Sequence, residues 1–188
     1  MLFFISTIAY NQAGTFTDPR DGQAYKTIEI DGKTWMAENL RYEIGDSKCY
    51  LNQQANCQEY GRYYEWSKAI GACPDGWHLP TRNEFAQLGN SLGILYSRND
   101  IERKKEHLKN KEWEVLYEGG SSGFNAKLAG SYNQDLGWEG MGAWASFWTI
   151  TKSRSEYTYW KIHPTNGGFT IWYLSWGDEL LSVRCVKD

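Results

Sequence analysis

Hydrophobic and polar positions alternate differently along the chain, dividing it into a mixed first half and a strand-rich last third. Residues 24–30, AYKTIEI, and 33–36, KTWM, flank Asp31-Gly32. Asp-Gly between two β-prone runs predicts a hairpin with a type I′ turn, in which both central residues take positive φ. The polar residues 45–57 predict a loop. Residues 58–70, QEYGRYYEWSKAI, put Tyr60, Tyr63, Ser67 and Ile70 at helical spacing before Gly71 and predict a helix. The clearest helix follows. Thr81 and Glu84 make a Thr-x-x-Glu capping box, Phe85, Leu88 and Leu92 recur at i, i+3 and i+7, and Gly93 supplies the stop. A third, mostly polar helix is expected from about residue 100 to 109, with Asn99 or Asp100 as its cap.

From Gly119 to Gly142 the chain is rich in Gly, Ser and Asn and shows no period, so one long loop or several short ones are expected; ordered loops of that length tend to carry function. Alternation returns at Tyr157–His163, with Tyr157, Tyr159, Lys161 and His163 on one face and Thr158, Trp160 and Ile162 on the other. Residues 164–168 predict a turn, Phe169–Leu174 a partner strand, and Ser175–Asp178 a second turn. In a final strand, Leu181, Val183 and Cys185 point one way and Ser182, Arg184 and Val186 the other. No internal repeat or linker is visible. The chain therefore reads as one domain over 15–188, preceded by residues 1–14 as an ordered strand or the remnant of an export signal.

Composition sharpens the picture. Ten Trp, thirteen Tyr and seven Phe stand among 188 residues. Tyr and Trp join large apolar surfaces to a polar handle and serve cores and interfaces equally well. The net charge of -3 offers no general attraction to nucleic acid or to an anionic membrane. Arg103, Lys104 and Lys105 sit among Glu102 and Glu106, a solvated helix face. Met1–Tyr10 is apolar but too short to span a bilayer, and no membrane insertion is expected.

Four cysteines, Cys49, Cys57, Cys73 and Cys185, match no zinc spacing, and the three histidines, His78, His107 and His163, are scattered. Three disulfide connectivities are possible. The favoured one pairs Cys49 with Cys57, closing a short loop, and Cys73 with Cys185, tying the last strand to the middle of the chain. Such bonds imply an oxidising compartment.

The segments TFTDPRDGQAYKTIEIDGKTWMAENL (15–40), CQEYGRYYEW (57–66), CPDGWHLPTRNEF (73–85) and SVRCVKD (182–188) resemble the Fibrobacter succinogenes major paralogous domain family, whose members are exported or surface-associated bacterial proteins of largely unassigned function. The stretch 94–120 departs most, placing a charged helix where the family runs a looser Gly/Ser segment. That family is similar to the formylglycine-generating sulfatase-modifying domain and, more distantly, to C-type lectins. The resemblance implies an α+β, C-type-lectin-like fold with two to three helices, a small twisted antiparallel sheet and long loops. It also implies a secreted or cell-surface location in a bacterium. Some variable proteins of diversity-generating retroelements share this fold and read ligands with their C-terminal strands and loops.

The residues argue against catalysis. Sulfatase-modifying enzymes bind copper with a cysteine pair near the C-terminus, and no cysteine lies between Cys73 and Cys185. No Gly-x-Ser-x-Gly, His-Glu-x-x-His or P-loop pattern occurs. His78, just before the capped helix, reads as a packed or hydrogen-bonding residue. Trp176-Gly177-Asp178 resembles one calcium motif of C-type lectins but lacks the amide ligand at its centre. A weaker oxygen set, Asn133, Asp135 and Glu139, is a candidate for a structural calcium ion, against the simpler reading of Asx turns. No other cofactor is expected. Trp148, in the run WASFWTI, is expected in the core. The expected ligand-binding face comprises Tyr157, Tyr159, His163, Asn166, Trp172, Tyr173, Trp176 and Asp178, a mixture of aromatic and polar groups that suits sugar stacking or a protein hot spot. The function expected is non-catalytic binding of a carbohydrate or protein ligand, a retroelement-diversified variable protein being one specific version. A structural or adhesion module without a discrete ligand is the alternative, and a divergent sulfatase-modifying enzyme a more distant one.

Overall fold

The computed structural model describes residues 12–94, 111–164 and 168–188. The helix expected over 100–109, the N-terminal apolar segment 1–10 and Asn166 lie outside them. In chain order the strands are β1 (Ala13–Thr17), β2 (Ala24–Ile30), β3 (Lys33–Met36), β4 (Tyr63–Tyr64), β5 (Trp77–His78), β6 (Ala129–Asn133), β7 (Gly137–Met141), β8 (Ala145–Ser153), β9 (Glu156–His163), β10 (Gly168–Leu174), β11 (Leu181–Ser182) and β12 (Val186–Lys187). The helices are α1 (Gln54–Tyr60), α2 (Trp66–Ala69) and α3 (Arg82–Ser91).

The architecture is α+β. One open sheet has the order β1-β2-β3-β12-β5; the other runs β10-β9-β8-β11-β4, with β6 pairing both β7 and β8. The β2–β3 hairpin closes as predicted: Ile30 faces Lys33, and Asp31 and Gly32 take φ of 53° and 71°. The α3 capping box is complete, with the Thr81 hydroxyl accepting from the Glu84 amide at 3.1 Å and the Glu84 carboxylate accepting from the Thr81 amide at 2.8 Å.

Three expectations need correction. The helix expected over 58–70 is broken. Gly61, at φ 80°, turns the chain out of α1 so tightly against Asn39 that a Cβ there would come within 2.5 Å of the Asn39 Cβ. Tyr63 then exchanges backbone hydrogen bonds with Lys48, and the chain enters β4 against β11. Strand pairing thus outweighed helical spacing. The segment Gly119–Gly142 contains the β6–β7 hairpin, which its glycines hid. Gly130, at φ 64°, lies so close to Glu139 O that a Cβ would stand 2.0 Å from it. The expected last strand is split: β11 pairs with β4 and β8, β12 with β3 and β5, and residues 183–185 cross between the sheets.

That crossing explains the core. Leu181, Val183 and Cys185 pack with Tyr25, Met36, Tyr64, Trp148 and Tyr159. Val186 joins Trp35, Phe85, Phe124, Phe147 and Trp160 on the other side, and Ser182 and Arg184 are buried as well. Strand β8 is likewise covered on both faces, sending Phe147 to one cluster and Trp148 to the other. Two of the buried indoles find backbone acceptors: Trp148 donates to Tyr64 O at 2.6 Å and Trp160 to Arg82 O at 3.1 Å.

Both favoured disulfides are present, Cys49–Cys57 and Cys73–Cys185. The first clips α1 to the preceding 3-10 turn, Tyr50–Asn52; the second joins the segment before α3 to the crossing between β11 and β12. No helix among the described residues is long and apolar enough to cross a membrane.

Candidate functional site

In the β9–β10 ladder Tyr157 pairs with Leu174, Tyr159 with Trp172, and Lys161 with Thr170. Side chains directly opposite share a face in an antiparallel pair, so Tyr157, Tyr159, Lys161, His163, Trp172 and Leu174 lie on one side of the sheet. Tyr173, opposite Thr158, lies on the other and packs with the Phe85–Trp160 cluster, so it does not belong to the expected face. The expectation that the face is exposed also needs correction. Tyr159 is buried, beside Trp148 at 6.0 Å and Trp172 at 6.4 Å between ring centroids. Tyr157, His163 and Trp172 are half-buried, and Trp176 and Asp178 are exposed. Neighbouring loops and α2 cover what strand alternation alone would leave in water: Trp66, at the start of α2, sits 5.0 Å from the Tyr157 ring.

Two lysines complete this face. Lys161 Nζ lies 3.9 Å from the Trp144 ring centroid and 5.0 Å from that of Trp172, and Trp144 stacks on His163 at 5.5 Å. Lys152 Nζ lies 4.3 Å from each of Trp66 and Tyr157. Burial lowers the Lys161 pKa, against the opposing influence of Glu179 and Glu139. The same burial raises the Glu179 carboxyl, an effect that the hydrogen bond from Asn133 resists and Asp178 and Glu139 reinforce. Burial and Lys161 together lower His163.

Trp176 stands apart, 76 % exposed on the loop from β10 to β11. That loop is tied on both sides. Gly177 O accepts from the Trp66 amide at 3.1 Å, and Gly177 rests on the Tyr157 ring, where a Cβ would come within 3.0 Å. Beyond it, Leu180 and Tyr132 exchange backbone hydrogen bonds of 3.0 Å each, Asn133 Nδ2 donates to Glu179 Oε1 at 3.2 Å, and Gln134 Nε2 to Asp178 O at 3.4 Å. The β6–β7 turn and the Trp176 loop enclose a pocket of about 90 Å³ lined by Asn133, Gln134, Asp135, Leu174, Trp176, Asp178 and Glu179.

Within the oxygen set Asn133, Asp135 and Glu139, Asn133 is already engaged in local hydrogen bonds. Asn133 Oδ1 accepts from the amides of Asp135 at 2.8 Å and Leu136 at 3.1 Å, an Asx turn, and Glu139 stands opposite Ser131. Among the described residues no three His, Cys, Asp or Glu side chains gather as a metal-ligand set. His78 belongs to a structural network, bonded to Asp188 through Nδ1 and to Glu84 through Nε2 at 3.0 Å.

Glu179, Gln134 and Trp144 were missed by sequence reasoning. Glu179 follows Asp178 in a turn without periodicity, and Gln134 sits in the hairpin hidden by glycines, so neither carried a signal. Trp144 was visible only as one of many aromatics.

The folded chain is thus a two-sheet α+β domain, stapled twice, with an aromatic-polar face at its C-terminal strands. It matches the Fibrobacter succinogenes major domain over residues 28–187 and belongs to that family. No curated protein and no solved structure matches it significantly.

Proposed function

We propose that this domain is an extracellular or cell-surface binding module of the C-type-lectin-like class, holding a carbohydrate or protein ligand through its C-terminal strands and loops without transforming it. The observation that carries this reading is Trp176. An indole kept 76 % in water, on a loop tied to Trp66 on one side and to β6 on the other, has a large apolar area free and little ordering entropy left to lose on binding. Half-buried Trp172, Tyr157 and His163 share one face of the β9–β10 ladder, and Asp178 is exposed on the Trp176 loop.

Other features support the rest. The Cys73–Cys185 bond between the segment before α3 and the C-terminal strands fits a lectin-type frame, and two disulfides fit an exported protein. All four sulfurs are taken up in disulfides, leaving no thiolate pair for copper chemistry of the sulfatase-modifying kind. A retroelement-diversified variable protein is a narrower version, tested by whether close relatives differ at codons of β9, β10 and their connection.

Glycan and protein arrays probed with the disulfide-intact domain and with Trp176→Ala test the reading. Hits lost in the variant are expected. Blank arrays together with self-association of the domain would favour a structural or adhesion module instead.

A further inference from the structure

We infer that the end of the domain carrying Leu136 and Trp176 docks a protein segment that presents an apolar side chain flanked by lysine or arginine. This rests on reading the Trp176 region as a binding surface and names its partner.

Among the described residues, Leu136 at 72 % and Trp176 at 76 % are the most exposed large hydrophobics; Leu51 follows at 50 %. They come from different parts of the chain, Leu136 from the β6–β7 turn and Trp176 from the β10–β11 loop. The Tyr132–Leu180, Asn133–Glu179 and Gln134–Asp178 hydrogen bonds knit those two loops together. The Asx turn at Asn133 fixes the backbone at Leu136 as well. Both apolar side chains thus stand on tied loops, pre-organised for covering by a partner.

The chemistry beside Trp176 selects the partner. The pocket of about 90 Å³ is well below the roughly 300–1,000 Å³ typical of small-molecule sites and admits a single side-chain head. Its acidic lining is Asp135, Asp178 and Glu179. Asp135 and Asp178 are exposed, and no ion pair engages either among the described residues. A cationic head is the complement of that rim. A sugar ring would stack on the indole but gain little from the aliphatic Leu136, whereas a peptide segment carrying an apolar side chain can gain from either.

The test uses the full disulfide-bonded chain and three probes: twelve-residue peptides carrying Leu or Phe between Lys or Arg, the same peptides with Glu in place of the basic residues, and neutral glucan and N-acetylglucosamine hexasaccharides. Fluorescence anisotropy is expected to show binding of the basic peptides alone. That binding should weaken about tenfold in Trp176→Ala and in Leu136→Ala, and should fall with added salt. Asp178→Asn should weaken it less. Equal binding of the acidic peptides would overturn the inference. So would hexasaccharides that bind in a Trp176-dependent manner while peptides do not, although the binding surface itself would then stand. If none of the probes binds, or if every probe that binds ignores both substitutions, the partner and the surface fall together. Circular dichroism of the variants separates these outcomes from misfolding.

Discussion

Arg184 Nε donates to Asn39 Oδ1 at 2.7 Å, and both residues lie inside the domain, with Arg184 wholly buried. The remaining partners of the guanidinium are carbonyls: Phe124 O, Asn125 O at 2.8 Å and Met36 O at 3.3 Å. Neutral acceptors thus surround a buried cation, which also lies 4.7 Å from the centroid of the Phe124 ring. Burial lowers its pKa to about 9, with Glu38 and Glu118 resisting. One residue thereby fastens the β11–β12 crossing to the loops at Asn39 and Asn125.

Asn39→Ala leaves that charge short of an acceptor without removing the charge. The expected cost is about 2–3 kcal/mol, read from the urea midpoint at unchanged slope. Arg184→Lys should not be benign either, because one ammonium cannot reach carbonyls spread around a planar fork. An Asn39→Ala midpoint indistinguishable from the parent would remove this account of the crossing.

The two disulfides should differ in weight. Chain-entropy arguments give roughly 2.5 kcal/mol for the short Cys49–Cys57 loop and roughly 4–5 kcal/mol for the Cys73–Cys185 loop. Replacing both cysteines of the long bridge with alanine should therefore lower the thermal midpoint more than the same change in the short one. The reverse order in calorimetry would show that the local clip, not the long staple, governs stability.

Glycine substitutions separate backbone strain from collision. Gly22 has φ 74° and nothing within 4 Å of an added Cβ, so Gly22→Ala should cost only about 1 kcal/mol. Gly140 has φ 70°, and a Cβ there would stand 2.0 Å from the Trp144 ring. Gly140→Ala should therefore cost about 3 kcal/mol or more and displace Trp144 from Lys161 and His163. Near-ultraviolet circular dichroism, sensitive to tryptophan packing, should change for Gly140→Ala and stay constant for Gly22→Ala.

Acid stability should depend on Glu84. Burial alone would raise its carboxyl, but the Thr81 amide, Lys33, His78 and the Thr81 hydroxyl outweigh burial and hold it at about 2, against an ordinary 4.5. A carboxyl depressed on folding stabilises fully above its unfolded pKa and loses that contribution as pH falls through the folded one. Glu84→Gln should thus cost on the order of 2 kcal/mol at neutral pH, a deficit that shrinks between about pH 4.5 and 2. Parallel urea curves for parent and variant across that window, with a constant gap, would contradict the assignment.

Much of the local structure was legible because local chemistry sets it. Asp31-Gly32 could only turn with positive φ, Thr81 and Glu84 satisfy each other's amides within one helical turn, and the alternation from Tyr157 marks a strand wherever it packs. The candidate site was legible only in part. Alternation placed Tyr157, Tyr159, Lys161 and His163 correctly on one face, yet exposure depends on what packs above a face, and Trp66 and the β10–β11 loop come from elsewhere in the chain.

By itself the sequence determined the hairpin, the capped helix and the family to which it belongs, since each is written in neighbouring residues or in short motifs, whereas it only favoured one of three cysteine pairings. Only the tertiary structure decided that Gly61 breaks a helix, that the last strand divides between two sheets around Arg184, and that Tyr159 is buried while Trp176 stays in water. Those outcomes depend on contacts between residues far apart in the chain, and the free energy of long-range packing exceeds the local preferences that a linear reading can weigh.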